Sequence, residues 1–216
     1  VYGASLSPFV RKVLVVLDMK GLEHEQEQIA PGALPEGFHD ISPLGKIPAF
    51  QDGDITMADS SVICAYLDEK HPRNPILPND VADRARARWL EEYADTKLIE
   101  LLGRGIFFER ILKPLFFKQE TDTATVDKTI NELLPPVLDY LENELPSEGF
   151  LFGEFGLADI SVASQFINAS YAGYDVDPQR WPKVVSFIER VKAHPIVANR
   201  LKGEQKILEI IGIKKA

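Results

Sequence analysis

Cysteine is almost absent from this chain, with Cys64 standing alone among 216 residues. A single cysteine excludes a disulfide within the chain, and the four scattered histidines lack the ligand spacing of common zinc sites. No apolar run approaches the roughly 20 residues that a membrane-spanning helix requires. We therefore expect a cytoplasmic protein that needs neither a metal nor a disulfide and has no membrane partner.

Positive charge is also scarce, because 24 lysines and arginines stand against 33 aspartates and glutamates, for a net charge of -9. Proteins that bind nucleic acid by counterion release cluster lysine and arginine on one surface. Here Arg84, Arg86 and Arg88 alternate with alanines beside acidic residues, which is typical of a solvated or intersubunit helix face. We expect no nucleic-acid partner.

The residue pattern changes near residue 76. The run H-P-R-N-P-I-L-P-N-D after Lys70 is rich in proline and lacks periodicity, so it predicts a linker. Apolar residues beyond it recur at helical spacing. We predict an α/β domain over residues 1–76, a linker over 77–82, and an all-helical domain over 83–216.

Short segments alternate within the first domain. Turn residues and apolar runs predict a strand that begins at or before Val1, a helix from Pro8, a strand at 23–29, at most a short helix near 35–40, a hairpin of 49–50 with 55–57, and a helix at 60–70. In the second domain, Pro135 and Pro136 interrupt a helical pattern, so we expect a kink or a change in the hydrogen-bond ladder near Asn131.

Ser7 stands where the first strand gives way to the first helix. Pro8 suits the first helical position, and Ser is a favoured residue at the cap before it. The simplest interpretation is a structural cap. The same position would also place a hydroxyl at the positive end of the helix dipole, where it could stabilise an anion.

Two further runs carry polar groups to helix or strand ends. Ile47 precedes Pro48 and is pushed toward extended geometry, so its N–H and C=O could pair with an extended peptide, although an ordinary strand start has the same pattern. Asp59 and Ser60 precede the apolar run of the last helix in this domain. They predict either plain capping or an anion site at the helix N-terminus.

The chain resembles the soluble glutathione transferases over nearly its whole length. The resemblance rests on S-P-F-V-R-K from Ser7, G-K-I-P-A-F from Gly45, A-D-S-S-V-I from Ala58 and F-G-L-A-D-I from Phe155. It implies a thioredoxin-like N-terminal domain, with a mixed four-stranded sheet and helices, followed by an all-helical C-terminal domain. Gly156 stands where the family usually has a Ser or Thr cap, so only Asp159 of that capping box is present.

The resemblance also implies a reaction. Members of the family use glutathione as co-substrate, stabilise its thiolate and direct it at a hydrophobic electrophile, with peroxide reduction as a side activity. It assigns the thiolate contact to Ser7, with Ser5 as the alternative, and packing to Tyr2. The loop holds no cysteine, which argues against the cysteine-dependent branches.

Further site residues follow from the same resemblance. Ile47 and Pro48 would meet the peptide backbone of glutathione, Asp59 its γ-glutamyl ammonium and Ser60 the adjacent carboxylate. The glycyl carboxylate would meet Lys46, with Gln51 and His39 as alternatives. The electrophile pocket would draw on Leu6, Arg104, Phe107 and Phe108, with Phe116 and Phe117 nearby, although helix core or dimer contact suits each aromatic equally.

Family members pair as homodimers through the long helix that carries Asp95. Asp95 could therefore reach the ligand of the partner subunit, or it could be a surface acid. The apolar pattern around Cys64 predicts a small core residue there. Since fold alone does not confer activity, a noncatalytic binding or assembly module remains the alternative function.

Overall fold

The chain forms two units, residues 1–76 and residues from Leu77 onward, in a computed structural model that describes residues 1–213. The first unit mixes helices with a hairpin, and the second is helical, as the sequence predicts. The elements of the first unit are α1 (Pro8–Lys20), α2 (Phe38–Ile41), β1 (Ala49–Asp52), β2 (Ile55–Ala58) and α3 (Ser60–Lys70).

The sheet of the first unit has one continuous ladder. Strands β1 and β2 pair antiparallel from Ala49 opposite Ala58 to Asp52 opposite Ile55. Tyr2 forms single bridges on both sides, antiparallel to Ala49 and parallel to Glu27. The four predicted strand segments are therefore neighbours, but the first two contribute isolated bridges.

The strand predicted over 23–29 is too long, since only Glu27 of these residues forms a bridge. The chain turns after Gly3, where the N–H of Ser7 bonds to the carbonyl of Ala4 at 2.9 Å. This turn ends the parallel pairing on the side of Gln28 and Ile29. The side chains of Gln26 and Gln28 bond to this loop instead.

Helix α1 is buried along most of its length. Ser7 caps its start, and Gly21 ends it in the left-handed conformation, with its N–H bonded to carbonyls of the last turn. Most apolar side chains of α1 are buried, Phe9 and Met19 are half-buried, and Arg11 and Lys12 are 0% and 1% exposed. Burial of charged side chains at two successive positions requires polar partners.

Lys20, the last residue of α1, holds the segment that follows α3. Its ammonium donates to Oδ1 of Asp68 at 2.5 Å and to the carbonyls of His71 and Arg73 at 2.9 and 3.1 Å. The same Asp68 oxygen accepts the N–H of Ile76. Residues 71–80 form no helix or strand, and α4 begins at Val81 within the predicted linker of 77–82.

The second unit is a set of packed helices. They comprise α4 (Val81–Tyr93), which continues through π-type turns over Ala94–Leu112 into α5 (Lys113–Phe116), then α6 (Thr123–Lys128), α7 (Leu134–Glu144), α8 (Leu157–Tyr171), α9 (Pro182–Ala193) and α10 (Pro195–Ile210). No helix within residues 1–213 is both long and apolar enough to cross a membrane.

The predicted change in the ladder near Asn131 is confirmed. Residues Thr129–Leu133 form a π-type turn, and the N–H of Leu134 bonds to the carbonyl of Thr129. Pro135 and Pro136 follow in the first turn of α7, and neither can donate an N–H to the carbonyls of the turn before it. The wider turn thus lets the chain remain helical up to the prolines.

Helix α8 lies at the centre of the second unit, buried from Leu157 to Ala169. Its capping box is half present, as predicted. Asp159 accepts the N–H of Gly156 at 2.9 Å with one oxygen and that of Leu151 at 2.9 Å with the other. Burial raises the pKa of Asp159 to about 6, against the opposing effect of these hydrogen bonds.

Candidate functional site

Ser7 combines a capping role with an uncommitted hydroxyl hydrogen. Its Oγ accepts the N–H of Val10 at 3.4 Å, which confirms the predicted cap. Within residues 1–213, no protein group accepts the hydrogen of this hydroxyl. Ser7 can therefore donate a hydrogen bond to a ligand while it continues to cap α1.

Ser5, the alternative to Ser7, is held in a network of amides. Its Oγ accepts from Nε2 of Gln28 at 2.7 Å and Nε2 of Gln26 at 3.0 Å, and it donates to Oε1 of Gln26 at 3.3 Å. The hydroxyl has thus used its donor and both acceptor positions. A thiolate would have to displace these bonds to reach Ser5.

Ile47 presents an unpaired backbone next to Pro48. The Ile47–Pro48 peptide is cis. Lys46 on one side bonds to Ser42 through both its N–H and its carbonyl, and Ala49 on the other pairs with Tyr2. Among the described residues, neither the N–H nor the C=O of Ile47 has a partner, so both can pair with an extended peptide.

The N-terminus of α3 is the second place where polar groups are available to a ligand. Oδ1 of Asp59 accepts the N–H groups of Ser61 and Val62 at 2.9 and 3.1 Å. Asp59 itself has a φ of 95°. Ser60 is 5% exposed, and its N–H and Oγ are without a partner in the part of the chain that the structure describes. The positive end of the helix can therefore receive a carboxylate at Ser60.

Contacts within the first unit bring these motifs together. Gly3 lies between α1 and the loop before β1, since a Cβ on it would stand 2.5 Å from Cγ2 of Val10 and 3.2 Å from Cβ of Ile47. On the other side of α1, Nζ of Lys12 donates to Oγ of Ser61 at 3.2 Å. The first turns of α1 thus join the Ile47 backbone to the start of α3.

The three residues predicted to meet the glycyl carboxylate differ in how far their side chains are already engaged by other residues. Lys46 is exposed and its ammonium makes no bond within residues 1–213. Gln51 is engaged, because its Oε1 accepts from the hydroxyl of Tyr2 at 2.9 Å. His39 packs against Gly45, where a Cβ would stand 2.9 Å from its ring. Lys46 is therefore the better placed cation for a second carboxylate.

The remaining candidates are distributed over both units. Leu6 is half-buried in the first unit, and Asp95 is half-buried in the first π-type turn of the second. Arg104 is exposed, Phe107 is buried, and Phe108 packs on the exposed Phe117 with ring centroids 5.8 Å apart. Cys64 is buried, as its pattern predicts.

Sequence reasoning did not identify Lys12 or the two glutamines as parts of this region. Lys12 is the last residue of the S-P-F-V-R-K motif, which assigned it no role. The detectable signal is a lysine within a helix whose neighbouring positions are nearly all apolar, since such a side chain is buried and must find polar partners. Gln26 and Gln28 have no comparable signal, because polar residues are common on edge strands.

Comparisons with known proteins agree over both units. The model for the glutathione S-transferase N-terminal domain matches residues 1–75, and the model for the C-terminal domain matches residues 85–190. Glutathione S-transferase 1 of Dianthus caryophyllus is 31% identical over 192 residues, covering 86% of this chain and 83% of that protein.

Two further relatives extend the comparison. A probable glutathione S-transferase of Glycine max is 32% identical over 158 residues, which make up 72% of this chain and 64% of the relative. The crystal structure of a glutathione S-transferase from Rhodospirillum rubrum superimposes with a TM-score of 0.82 at 28% identity, covering 93% of this chain and 90% of that one.

Proposed function

The chain belongs to the glutathione S-transferase family, and on this premise we propose that it activates the thiol of glutathione for nucleophilic attack on a hydrophobic electrophile. The observation that carries the proposal is the Ser7 hydroxyl, which caps α1 and keeps its hydrogen available. The uncommitted groups of Ile47 and Ser60, on the same unit, supply the other half of a peptide-binding surface.

The proposed binding mode uses these groups in order along the tripeptide. The γ-glutamyl carboxylate bonds to the N–H and Oγ of Ser60, and its ammonium meets the carboxylate of Asp59. The cysteinyl backbone pairs with the N–H and C=O of Ile47 beside Pro48 as an added strand. Lys46 receives the glycyl carboxylate. This order places the sulfur toward the first turn of α1.

Ser7 would favour the charged form of the sulfur. A thiol is mostly protonated at neutral pH, and a hydrogen bond to the thiolate lowers its pKa. The hydroxyl of Ser7 donates that bond, and the N-terminus of α1 adds the field of the helix dipole. The proton leaves to solvent, the thiolate forms a carbon–sulfur bond, and the electrophile's leaving group departs with the bonding electrons.

Several finer assignments accompany the proposal. We keep the electrophile pocket that the family resemblance implies, and we assign the assembly to a homodimer in which Asp95 meets the partner's ligand. A cytoplasmic location agrees with a thiol co-substrate and a single buried cysteine. Peroxide reduction, with a second glutathione as reductant and glutathione disulfide and water or alcohol as products, is a secondary activity of the same thiolate.

The deciding experiment pairs binding with turnover. Calorimetry measures glutathione binding, and absorbance follows conjugation of 1-chloro-2,4-dinitrobenzene, for wild type and Ser7→Ala. We expect binding below millimolar concentration in both proteins and a large rate loss only in the variant. Failure of wild type to bind at millimolar glutathione refutes the proposal. Binding with no turnover of any electrophile would favour the noncatalytic module instead.

A further inference from the structure

Lys12 is a buried lysine to which the sequence motifs assigned no role in the site. It lies on α1 five residues beyond the cap residue Ser7, and it is 1% exposed. Its ammonium donates to Oγ of Ser61 at 3.2 Å. The side chain therefore runs from the helix that begins at Ser7 to the first turn of the helix that begins beside Asp59.

The contact lies next to the proposed carboxylate position. Ser61 follows Ser60, whose N–H and Oγ are uncommitted among residues 1–213, and the N–H of Ser61 is already bonded to Asp59. An ammonium can only donate hydrogen bonds, so the oxygen of Ser61 must accept this one. The bond fixes the Ser61 side chain and brings a positive charge to the residue that follows Ser60.

We propose that Lys12 is a positioning residue that adapts the start of α3 to the γ-glutamyl carboxylate of glutathione. This inference rests on the proposed function. Lys12 acts through Ser61: it holds that side chain against α1 and adds a positive charge to the N-terminus that receives the carboxylate. A buried charge interacts strongly with a ligand charge because little water screens it.

The same helix provides a control for a purely structural role. Lys20 also has a buried side chain, and it also joins α1 to α3, through Asp68. The contact of Lys20 lies near the C-terminal ends of α1 and α3, whereas the contact of Lys12 lies near their N-terminal ends. Loss of either lysine should lower stability, but only Lys12 is near the carboxylate position.

The test compares two peptides in calorimetric titrations. One is glutathione, and the other is 4-aminobutanoyl-cysteinyl-glycine, which keeps the amine and thiol but lacks the γ-glutamyl carboxylate. For Lys12→Met we expect glutathione affinity to fall about tenfold and affinity for the analogue to change less than about twofold. Turnover at saturating glutathione should stay within about twofold, since the effect is on binding.

Two further variants keep the result interpretable. Ser61→Ala removes this hydrogen bond while Lys12 stays in place, and it should show the same selective loss even if Lys12→Met folds poorly. Lys20→Met should weaken both peptides by the same small factor or leave both unchanged. The double variant of Lys12 and Ser61 should lose no more glutathione affinity than the stronger single variant.

Opposite outcomes separate the two proposals. Equal losses for both peptides in Lys12→Met, or no loss for either, overturn the role of Lys12 and leave the proposed function standing. A wild type that binds neither peptide overturns the proposed function and the role of Lys12 with it.

Discussion

Gln28 and Ser5 form a two-point contact in which Nε2 of Gln28 donates to Oγ of Ser5 at 2.7 Å and Oε1 accepts the N–H of Ser5 at 3.1 Å. A side-chain amide here replaces the backbone bonds of a longer strand. The contact fixes the loop two residues before Ser7. It also commits the hydroxyl of Ser5, so the two serines of this loop are chemically different.

Substitution of the two serines should therefore have unequal effects on catalysis. Ser7→Ala removes the proposed thiolate donor, and we expect kcat/KM for conjugation to fall about a hundredfold. Ser5→Ala should cost about threefold or less, since Ser5 acts only through loop position. Profiles of kcat/KM against pH should show a higher apparent pKa of the thiol in Ser7→Ala alone. A larger loss in Ser5→Ala would transfer the thiolate contact to Ser5.

Gly3 should not tolerate a side chain. A Cβ would stand 2.5 Å from Cγ2 of Val10 and 3.2 Å from Cβ of Ile47, so α1 or the loop before β1 must move. For Gly3→Ala we expect a loss of about 1–3 kcal/mol in unfolding free energy and weaker glutathione binding. Urea titration and calorimetry measure the two effects. Gly53→Ala is the control, because Gly53 also has a positive φ but a Cβ there would meet no other atom within 4 Å. This substitution should leave glutathione binding unchanged.

Local sequence signals predicted most of the fold. Helix α3 begins at Ser60 and ends at Lys70, as predicted, because an acidic cap and a proline-rich run define its two ends. The hairpin and the altered turn before Pro135 follow from equally local chemistry. The predicted length of the second strand was wrong, because the length of a strand depends on the segment that pairs with it. Contacts between distant residues decide such features, and periodicity does not record them.

The residues of the candidate site likewise include some that the sequence indicates and some that only the structure shows. Ser7, Ile47, Asp59 and Ser60 are visible in the sequence because each stands at the end of a helix or strand. Their assigned roles in glutathione binding stay predictions. Lys12 and Gln28 became candidates only once the structure placed Ser61 and Ser5 beside them, since their partners are more than 20 residues away.

Removal of the Lys20 ammonium should destabilise the first unit. Lys20→Met deletes bonds to Asp68 and to the carbonyls of His71 and Arg73, and it leaves Asp68 without its cation. We expect a loss of about 2–4 kcal/mol in unfolding free energy, measured by urea titration. The control is Lys70→Met, which removes the exposed pair with Asp52 and should cost far less. Equal losses would contradict the importance of the buried pair.

Asp159 should make the second unit less stable as pH rises. Its folded pKa of about 6 exceeds the usual 3.8, so the folded chain holds this proton more tightly than the unfolded chain. The resulting stabilisation is complete below about pH 4 and disappears as pH rises through 6, and the pKa difference corresponds to about 3 kcal/mol. Asp159→Asn lacks this titration but also loses an acceptor.

The comparison of wild type with Asp159→Asn isolates that effect. We expect the unfolding free energy of wild type relative to the variant to fall by about 2.5 kcal/mol between pH 4 and pH 7.5. Urea titrations at several pH values, followed by far-UV circular dichroism, measure it. A difference that stays constant over this range would contradict the raised pKa.

The backbone of Asp59, with a φ of 95° and a ψ of 120°, has a consequence for the energetics of ligand binding. A non-glycine residue in such a conformation costs about 1–3 kcal/mol, which the hydrogen bonds to Ser61 and Val62 help to offset. Glutathione bound by Asp59 and Ser60 would add to that offset, so ligand occupancy and local unfolding of this turn become linked equilibria. Amide hydrogen exchange at the start of α3 would then slow in proportion to saturation, which makes this turn a reporter of occupancy independent of turnover.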